Sequence, residues 1–585
     1  MKETEMVETK SEVRDGMRID WDVKIPADDG TLLAADVYRP DDDEQHPVLL
    51  AMCPYPKGVP FQLAYANQWK ALATDHPEAL EGSTNKYQSW EYPDPEQWVP
   101  HGYVLVRVDS RGAGCTPGEI SFFSARETKD LYEAIEWAGT QSWSNGKVGL
   151  SGISYLATNQ WHVAALHPPH LAAIAPWEGA NDFYREYARS GGIVSEFIPS
   201  WMPAQVTPFQ YGNPDAPVNP NTGRRVTGDE VVPEDERKRL RIDPGVEFNK
   251  HPLDDEFYRE RSGNLEKVTV PLLSAGNWGG VALHLRGNTE GFMRAASKQK
   301  WLEVHGYEHW TEFYTPYGRD LQRRFFDHFL KGVDNGWDTK PPVQLQVRHV
   351  DKFVERNEHE WPIARTQWTK YYLDPERETL STTPSDATAS ASYEPRKTRL
   401  SFRTASFTTE TEMTGPVVLK LFVSSATPDA DIFATVSLFD PDGNEVLYPS
   451  AMEPKAPLTQ GWLRLSQRKT DPARSLPYRP WHSHDTTEKL APGQVYEVDV
   501  EVWPTSIVIP PGYVLGLTIE GTDYNHGLPD PKYHYGRPQT GSGPYWHEHP
   551  GDRDKPEYEG TVTISSEPGK EPYLLMPVIP PRADG

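Results

Sequence analysis

One serine in this sequence lies where a strand meets a helix, which is a position that favours chemistry. In "KVGLSGISYLATNQW" (147–161) a buried apolar run leads to Ser154 and a helical pattern follows it. A sharp turn at such a junction lifts a serine hydroxyl above the sheet and needs a small residue nearby, here Gly152. We therefore interpret Ser154 as a nucleophile, against the alternative of a structural turn serine. Ser151 also follows a glycine by two residues, but it lies within the strand end and is the weaker candidate.

A nucleophilic serine needs a general base, normally a histidine beyond the last strand of the sheet. The segment "WLEVHGYEHWTEFY" offers two. His305 directly ends an apolar strand, so its side chain is expected to be fixed in the wall of the sheet, whereas His309 lies on the following loop. The remaining histidines are expected to be surface or hydrogen-bonding residues.

The elements that must position these residues alternate between strands and helices. Continuous apolar runs predict strands buried on both faces, and two segments have helical spacing. The strands are "PVLLAMC", "GYVLVRVD", "KVGLSGIS", "LAAIAPWEG", "VTVPLLSAGNW" and "KQKWLEVH", and the helices are "ETKDLYEAIEWAGTQ" and "YLATNQWHVAALH". This alternation predicts a mainly parallel α/β sheet, preceded by antiparallel strands and built from residues 17–182 and 263–335.

Two other regions have different patterns. Residues 183–262 mix aromatic, proline and charged residues between strands of the predicted sheet. We interpret them as a cap over a pocket, with a surface excursion as the alternative. After residue 340 the period-2 runs "VVLKLFVSS", "IFATVSLFD", "VYEVDVEVW" and "YVLGLTIEG" predict an all-β sandwich of jelly-roll type over 340–585.

Composition excludes several classes of protein. The 585 residues indicate roughly two to four domains, and a formal net charge of −26 disfavours nucleic-acid binding. Cys53 and Cys115 are too few for a zinc cluster or a disulfide framework, so we expect free thiols. Neither an apolar leader nor a run of about 18 apolar residues is visible. We expect a cytoplasmic protein without nucleic-acid or membrane partners, and a homo-oligomer is compatible with the sequence.

Several segments together resemble one family. "GLSGISYLATNQW" resembles the Gly-x-Ser-Tyr-x-Gly elbow of the cocaine esterase/X-Pro dipeptidyl peptidase family of serine hydrolases (the CocE/NonD type), with Ala157 where that family usually has glycine. "CPYPKG", "VLVRVDSRGAGCTPG", "HPLDDEFYRERS" and "EVWPTSIVIPPGYVLGLTIEG" resemble its further segments in the same order. The similarity covers roughly residues 20–575.

The resemblance implies a fold and part of a site. It implies an α/β-hydrolase domain, a mainly helical cap and a C-terminal jelly roll. It favours His309 as the base, although the loop here is one residue shorter than the family's Gly-Pro-Trp-Ser-His. It places an oxyanion donor at the Tyr55 hydroxyl, and the backbone N–H of Tyr155 is the second candidate donor. The alternative for Tyr55 is an ordinary aromatic wall.

The third member of a triad is the difficulty. The family usually has an aspartate about thirty residues before the histidine, and Gly279 occupies that position in "SAGNWGGVALHLRGN". Some α/β-hydrolases instead carry the acid after the strand that follows the nucleophile helix, here "LAAIAPWEGAND". A carboxylate at that strand end faces the active-site crevice. We therefore predict Glu178 as the acid, with Asp182 or no acid as alternatives.

Two further pairs have ordinary interpretations. Asp109 and Arg111 in "VDSRG" could contact substrate, but an ion-paired turn is the favoured interpretation. Asp254 and Asp255 in "HPLDDEF" could bind an amino group, but a solvated or helix-capping role is favoured.

These residues predict a serine hydrolase that cleaves a carboxylic ester or activated amide through an acyl-enzyme. An X-Pro dipeptidyl peptidase or acylase of the same fold is one alternative, and an inactive ligand-binding protein that has lost its acid is another. No cofactor or metal is required, and "HEH" at 547–549 is too weak a pattern to indicate a metal site. The expected partner is a small-molecule ester or amide.

Overall fold

A computed structural model describes residues 10–528, 533–534 and 537–581. Its first sheet has eleven strands, and the six pairings at its centre are parallel. From edge to edge the strands are Lys10–Arg14, Met17–Pro26, Leu32–Pro40, Val104–Asp109, His46–Cys53, Ser144–Ile153, Leu171–Trp177, Leu272–Asn277, Lys300–His305, Val343–Arg348 and Phe353–Glu358.

Helices cover both faces of this sheet. The central strands are buried along almost their whole length, as the apolar runs predicted. Apolar stripes of the helices pack on them to form two hydrophobic clusters, one on each face. The α-helices are Phe61–Ala64, Ala66–Asp75, Pro95–Trp98, Ala125–Gly139, Tyr155–Ala164, Leu285–Arg294 and Pro316–Lys331, with short 3₁₀ turns at Pro77–Leu80, Val99–His101, Leu265–Lys267 and Trp337–Thr339.

Residues 183–262 leave the sheet after one strand and return before the next. They contain short helices, one small hairpin and a long irregular stretch. The hairpin is Arg189–Ser190 with Ile193–Val194, and the helical turns are Phe183–Ala188, Phe197–Trp201, Met202–Val206, Thr207–Phe209, Glu234–Arg239, Pro244–Lys250 and Glu256–Arg259.

The C-terminal part is built on a second, twelve-stranded and mainly antiparallel sheet around its own hydrophobic core. Strand Tyr573–Ile579 pairs both with Gln367–Asp374 and with Thr411–Ser425, which closes the sheet on itself. The other strands are Thr379–Ser381, Ala389–Tyr393, Leu400–Thr404, Asp431–Phe439, Glu445–Val446, Thr459–Arg464, Tyr496–Ile509, Val514–Glu520 and Val562–Ser566. Smaller elements are a hairpin of Tyr533–His534 and Arg537–Pro538, a helix Pro550–Arg553, and 3₁₀ turns Leu465–Gln467 and Pro556–Tyr558.

The first sheet extends further along the chain than predicted. Val343–Arg348 pairs in parallel with Lys300–His305, and Phe353–Glu358 pairs with it in turn. The second sheet begins only at Gln367. The two strands that directly follow residue 340 therefore belong to the first sheet.

Among the described residues, no helix is both long and apolar enough to cross a membrane. Cys53 and Cys115 are free thiols, as predicted. The prediction that no leader precedes the fold rests in part on residues 1–9, which lie outside the described residues.

Candidate active site

Ser154 lies on a strained turn between strand Ser144–Ile153 and helix Tyr155–Ala164. Its backbone has φ 58° and ψ −111°, a combination that costs free energy for any residue with a side chain. Gly152 also has positive φ, and a Cβ there would lie 2.6 Å from the Cβ of Leu156. Glycine is therefore required two residues before the serine, which is the physical basis of the Gly-x-Ser pattern.

Glu178 and His309 form a buried pair beside this turn. His309 Nδ1 lies 2.8 Å from Glu178 Oε2. The other oxygen of Glu178 lies 3.1 Å from His305 Nε2 and accepts from the Asn277 amide at 3.3 Å. Glu178 directly follows strand Leu171–Trp177, so the strand end delivers the carboxylate to this point.

His305 is fixed on both sides. Besides Glu178, its Nδ1 lies 2.7 Å from Glu303 Oε2, and its ring stacks on Trp177. Because both ring nitrogens are bound within the sheet, His305 is part of the wall and is not placed to take a proton from Ser154.

The imidazole nitrogen within hydrogen-bond distance of the Ser154 hydroxyl belongs to a histidine that the sequence did not indicate. His284 Nε2 lies 3.2 Å from Ser154 Oγ. His284 is fully buried at the start of helix Leu285–Arg294, and its ring stacks on that of His309 with centroids 5.2 Å apart. His309 Nε2 is instead 3.0 Å from Glu91 Oε1. The predicted contact between Ser154 and His309 is therefore replaced by one between Ser154 and His284.

Glu91 is the second residue that sequence reasoning missed. It is buried, its second carboxylate oxygen has no hydrogen-bond partner, and its backbone carbonyl accepts from the Ile153 N–H directly before the nucleophile. Ser154, Glu178 and Glu91 all have φ between 50° and 66°. Left-handed backbone at three non-glycine residues of one cluster is typical of a functional site held by its surroundings.

The charges of the two stacked histidines differ. Burial opposes protonation of His309, but the charge and hydrogen bond of Glu178, together with Glu91, raise the pKa of His309 to about 10. Burial and the neighbouring His309 lower the pKa of His284 well below its usual range. Burial opposes ionisation of Glu178, yet the two histidines bound to it hold the pKa of Glu178 well below normal. At neutral pH the site therefore holds a neutral His284 beside a cationic His309.

The two predicted oxyanion donors, Tyr55 and Tyr155, lie together. Their rings are 6.1 Å apart, and the Tyr55 hydroxyl accepts from the Trp201 indole at 3.1 Å. Burial, followed by the charge of Glu91, raises the pKa of Tyr55 well above its usual range, so that its hydroxyl keeps its proton. The Tyr155 hydroxyl donates to Glu127. The backbone N–H of Tyr155 has no intrahelical partner because Tyr155 is the first residue of the helix.

Aromatic side chains cover the site. Trp201, from the 183–262 segment, stacks on Tyr155 and meets Tyr55 edge to face. Tyr187, from the same segment, approaches His284 edge to face. Ser154 is 8% exposed, so a substrate has to displace part of this cover.

The cluster also contains atoms that could bind a metal ion. Glu178, His284 and His309 place ligand-type atoms within 4.8 Å of one another. The two imidazole rings are nearly parallel, however, so their nitrogen lone pairs do not converge on one point, and Glu178 already accepts from His309. The geometry fits proton transfer better than metal coordination.

Gly279 has a structural explanation. A Cβ at this position would lie 2.3 Å from the Cα of Ser450 and 2.7 Å from the N of Ala451. The Ala451 N–H donates to the Gly279 carbonyl, and the Ala451 carbonyl accepts from the His309 N–H. The C-terminal part therefore occupies the space that an aspartate side chain at 279 would need.

The remaining candidates have structural partners. Asp182 caps the helical turn Phe183–Ala188 and pairs with Arg185, which also binds Asp254. Asp255 caps helix Glu256–Arg259, and the Ser151 hydroxyl donates to Gln322.

The pair predicted in "VDSRG" is divided between two partners. Asp109 binds Lys57, whereas Arg111 binds Asp130 and Asp29. Each residue is ion-paired, but not within the turn itself.

Comparison with known proteins identifies the family. Residues 29–311 match the X-Pro dipeptidyl-peptidase (S15) family, and residues 335–552 match the X-Pro dipeptidyl-peptidase C-terminal non-catalytic domain. A CocE/NonD family hydrolase from Staphylococcus aureus is 32% identical, with a TM-score of 0.81, over 96% of this chain and 94% of its own. The protein belongs to the CocE/NonD family of hydrolases.

More distant relatives have names that indicate different activities. A cocaine esterase from Rhodococcus sp. is 26% identical over 87% of this chain and 91% of its own length. A putative Xaa-Pro dipeptidyl-peptidase from Streptomyces avermitilis is 22% identical over 73% of this chain and 68% of its own. An α-amino acid ester hydrolase shares the fold, with a TM-score of 0.64 at 15% identity.

His284 and Glu91 gave only weak signals in the sequence of this CocE/NonD protein. His284 stands in "VALHLRGN", a helix start without a motif, and Glu91 stands in "SWEYPDPE", which has the composition of a loop. The available signal for Glu91 was its position between Trp90 and Tyr92, because large aromatic neighbours indicate a buried segment and a buried carboxylate is unusual.

Proposed function

We propose that this protein is a serine hydrolase that cleaves carboxylic esters through an acyl-enzyme intermediate. The observation that carries the proposal is Ser154 on a strained turn with its Oγ 3.2 Å from the Nε2 of His284. A neutral imidazole accepts the hydroxyl proton as the oxygen attacks, which is the first requirement of acyl transfer by serine.

His284 takes the proton in this proposal. Ser154 Oγ attacks the ester carbonyl carbon while its proton passes to His284 Nε2. The tetrahedral intermediate collapses, the bond to the leaving oxygen breaks, and His284 returns the proton to that oxygen. Water then attacks the acyl-enzyme in the same way, which releases the carboxylic acid and restores Ser154.

Glu178 was predicted as the acid and His309 as the base. In this proposal they form a pair that packs against the ring of His284 and positions it. Three carboxylates, Glu91, Glu178 and Glu303, surround the cluster, and His305 and His309 bring two positive charges. Of these charges, that of Glu178 favours the imidazolium of His284 that forms during attack, whereas that of His309 opposes it. Glu178 is therefore the group that stabilises the imidazolium in this proposal.

The oxyanion would be held by the Tyr55 hydroxyl and the Tyr155 N–H. The raised pKa of Tyr55 supports a donor role, since the phenol stays protonated. The Trp201 indole N–H donates to the Tyr55 oxygen. The Tyr55 hydroxyl proton is therefore available to the oxyanion while that hydrogen bond is kept.

The finer features of the fold belong to the same proposal. The strand order of the first sheet, with the nucleophile after a central parallel strand, supports an α/β-hydrolase domain. We assign residues 183–262 as its cap because Trp201 and Tyr187 cover the serine. The closed, mainly antiparallel C-terminal sheet supports a jelly roll.

An X-Pro dipeptidyl peptidase of the same fold is the second candidate, supported by the family match of residues 29–311. Two substrates separate the candidates: a short-acyl nitrophenyl ester and an X-Pro anilide. We expect turnover of the ester to exceed turnover of the anilide, and the reverse ratio would identify a peptidase.

Labelling tests whether the protein is a serine hydrolase at all. A fluorophosphonate should label the wild-type protein, and Ser154→Ala should abolish labelling. Ser151→Ala is the matched control, because its hydroxyl lies on the same strand but bonds Gln322. If the wild type is not labelled, the proposal is wrong and a ligand-binding protein becomes the better interpretation. If Ser154→Ala is labelled as strongly as the wild type, another residue is the nucleophile and the assignment of Ser154 is wrong.

A further inference from the structure

A second cleft lies away from Ser154, where the first sheet meets the C-terminal part. Its volume is about 750 Å³. One wall comes from the end of helix Leu285–Arg294 and the residues that follow it, and the other from the loop 473–481. None of its lining residues belongs to the candidate active site described above.

The lining of this cleft is strongly cationic in a protein with a net charge of −26. Two carboxylates, Glu266 and Glu360, face five cationic side chains: Arg294, Lys298, Lys300, Arg474 and Arg479. Such a local reversal of sign concentrates anions from solution.

Three of the five cations lack a carboxylate partner among the described residues. Lys300 Nζ donates to the backbone carbonyls of Met293 and Ala295, and neither Lys298 nor Arg474 forms an ion pair there. Arg294 and Arg479, in contrast, bind Glu266 and Glu290. The unpaired guanidinium of Arg474 has donors free for a ligand.

The ring of Trp481 contacts this guanidinium and four others. Arg474 lies 3.7 Å above the ring of the buried Trp481. Four more arginines have their guanidinium carbons within 5.0 Å of the same ring centroid: Arg185, Arg286, Arg294 and Arg479. Burial, and then the positive charges of Arg294 and Arg185, lower the pKa of Arg474. The other four arginines are each paired with a carboxylate, so Arg474 carries the charge of this cluster that lacks a carboxylate partner among the described residues.

The floor of the cleft is aromatic. Trp361 is 6% exposed and its indole N–H has no hydrogen-bond partner, while Tyr478 stacks on Trp368 at 4.7 Å. Phe292 lines the same cleft. A ligand that fits has an anionic group for the cations and a flat apolar part for the rings.

We propose that this cleft binds a small aromatic anion, with its carboxylate or phosphate group on Arg474 and Lys298 and its ring against Trp361 and Tyr478. The site is independent of the proposed catalytic function, because binding needs neither Ser154 nor His284.

Calorimetric titration of the full chain tests the site with benzoate, phenyl phosphate, inorganic phosphate and neutral benzyl alcohol. Benzoate or phenyl phosphate should bind saturably, more tightly than inorganic phosphate, and benzyl alcohol should not. Binding of benzoate alone identifies the carboxylate as the recognised group, and binding of phenyl phosphate alone identifies the phosphate. Absence of binding by both overturns the proposal.

Substitutions locate the binding. Arg474→Gln should weaken it about tenfold or more, the effect of losing one charge-assisted hydrogen bond. Arg377→Gln is the control, since that arginine is 68% exposed and pairs with Asp374 on the C-terminal sheet. Equal affinity of Arg474→Gln and the wild type would overturn the proposal, as would equal weakening by Arg377→Gln. Ser154→Ala should bind the anion normally, which separates this result from the catalytic proposal.

Discussion

His284 Nε2 lies 3.2 Å from Ser154 Oγ, while the neighbouring His309 directs its own Nε2 to Glu91. The nucleophile is thus paired with the histidine that begins a helix, and the histidine of the loop after the last central strand is held between two carboxylates. The two rings are stacked, so a change in the charge of one affects the pKa of the other.

The first prediction concerns these two histidines. His284→Gln removes the group that accepts the serine proton, and kcat for a nitrophenyl ester should fall by about 10²–10⁴. His309→Gln removes only the supporting cation and should lower kcat less. Single-turnover kinetics with both variants measures the difference. If His284→Gln remains active while His309→Gln is inactive, then His309 leaves Glu91 during turnover and acts on Ser154 directly.

The pH profile of kcat/KM provides an independent check of the same assignment. A base whose pKa is lowered, such as His284, keeps the enzyme active well below pH 6.5. His309, whose pKa is raised to about 10, would as the base require activity to increase towards pH 10. Glu91 and Glu178 face the ring of His309, and Tyr187 faces the ring of His284.

The second prediction concerns Glu178. Replacement by glutamine keeps the volume but removes the charge that holds His305 and His309 protonated, so kcat should fall by at least about tenfold. Near-normal kcat would show that the carboxylate has no part in catalysis.

The same variant changes how stability depends on pH. The folded pKa values of His305 and His309 are raised to about 10, above their unfolded values, so this stabilisation is complete below about pH 6.5. It is lost as the pH rises through 10. The free energy of unfolding of the wild type, measured in denaturant, should therefore decrease between pH 7 and pH 10. In Glu178→Gln the decrease should be smaller, and an equal decrease in both proteins would contradict the assignment.

The third prediction concerns Tyr55. Tyr55→Phe removes one oxyanion donor and should lower kcat by about 10²–10³ while KM and the unfolding midpoint change little. Tyr258→Phe is a useful control because Tyr258 is a buried tyrosine of the 183–262 segment whose hydroxyl donates to the His251 carbonyl. Full activity of Tyr55→Phe would show that Tyr55 lines the site but does not donate to the oxyanion.

The fourth prediction concerns the missing aspartate. Gly279→Asp places a side chain against Ser450 and Ala451, so it should destabilise the protein by several kcal/mol and should not rescue Glu178→Gln. Gly245→Ala is the control, because a Cβ there has its closest contact at 3.4 Å. Thermal unfolding of the wild type, Gly279→Asp and Gly245→Ala measures the loss of stability, and an esterase assay of Gly279→Asp/Glu178→Gln measures rescue. A stable, active double variant would show that the backbone at 450–451 can move aside.

The sequence predicted what depends on local geometry. Gly152 is required by its positive φ and by Leu156, so the turn at Ser154 could be recognised from neighbours alone. The position of Glu178 followed from strand order, because adjacent parallel strands end at the same edge of a sheet. Ala157 is accommodated because residue 179, whose Cβ would lie 2.8 Å from the Ala157 Cβ, is itself a glycine.

What the sequence did not predict depends on contacts between distant segments. His284 reaches Ser154 only because helix Leu285–Arg294 starts above the nucleophile turn, and nothing near residue 284 in the sequence specifies that. Glu91 lies on a loop that is far in the sequence from Ile153 and His309, the residues to which it is hydrogen-bonded. The pairing of the edge strand Phe353–Glu358 with Val343–Arg348 could not be predicted, because alternation describes a half-buried strand but not its partner.

The two hydrogen bonds of Ala451, to Gly279 and to His309, make the loop at residue 309 a shared product of both halves of the chain. Ala451 lies in a turn closed by the paired residues Tyr448 and Ala456. Neither half is therefore an interchangeable module. An engineer who grafts the C-terminal part of another hydrolase onto this one must transplant a turn of the same shape, or the chimera will fold around a misplaced histidine.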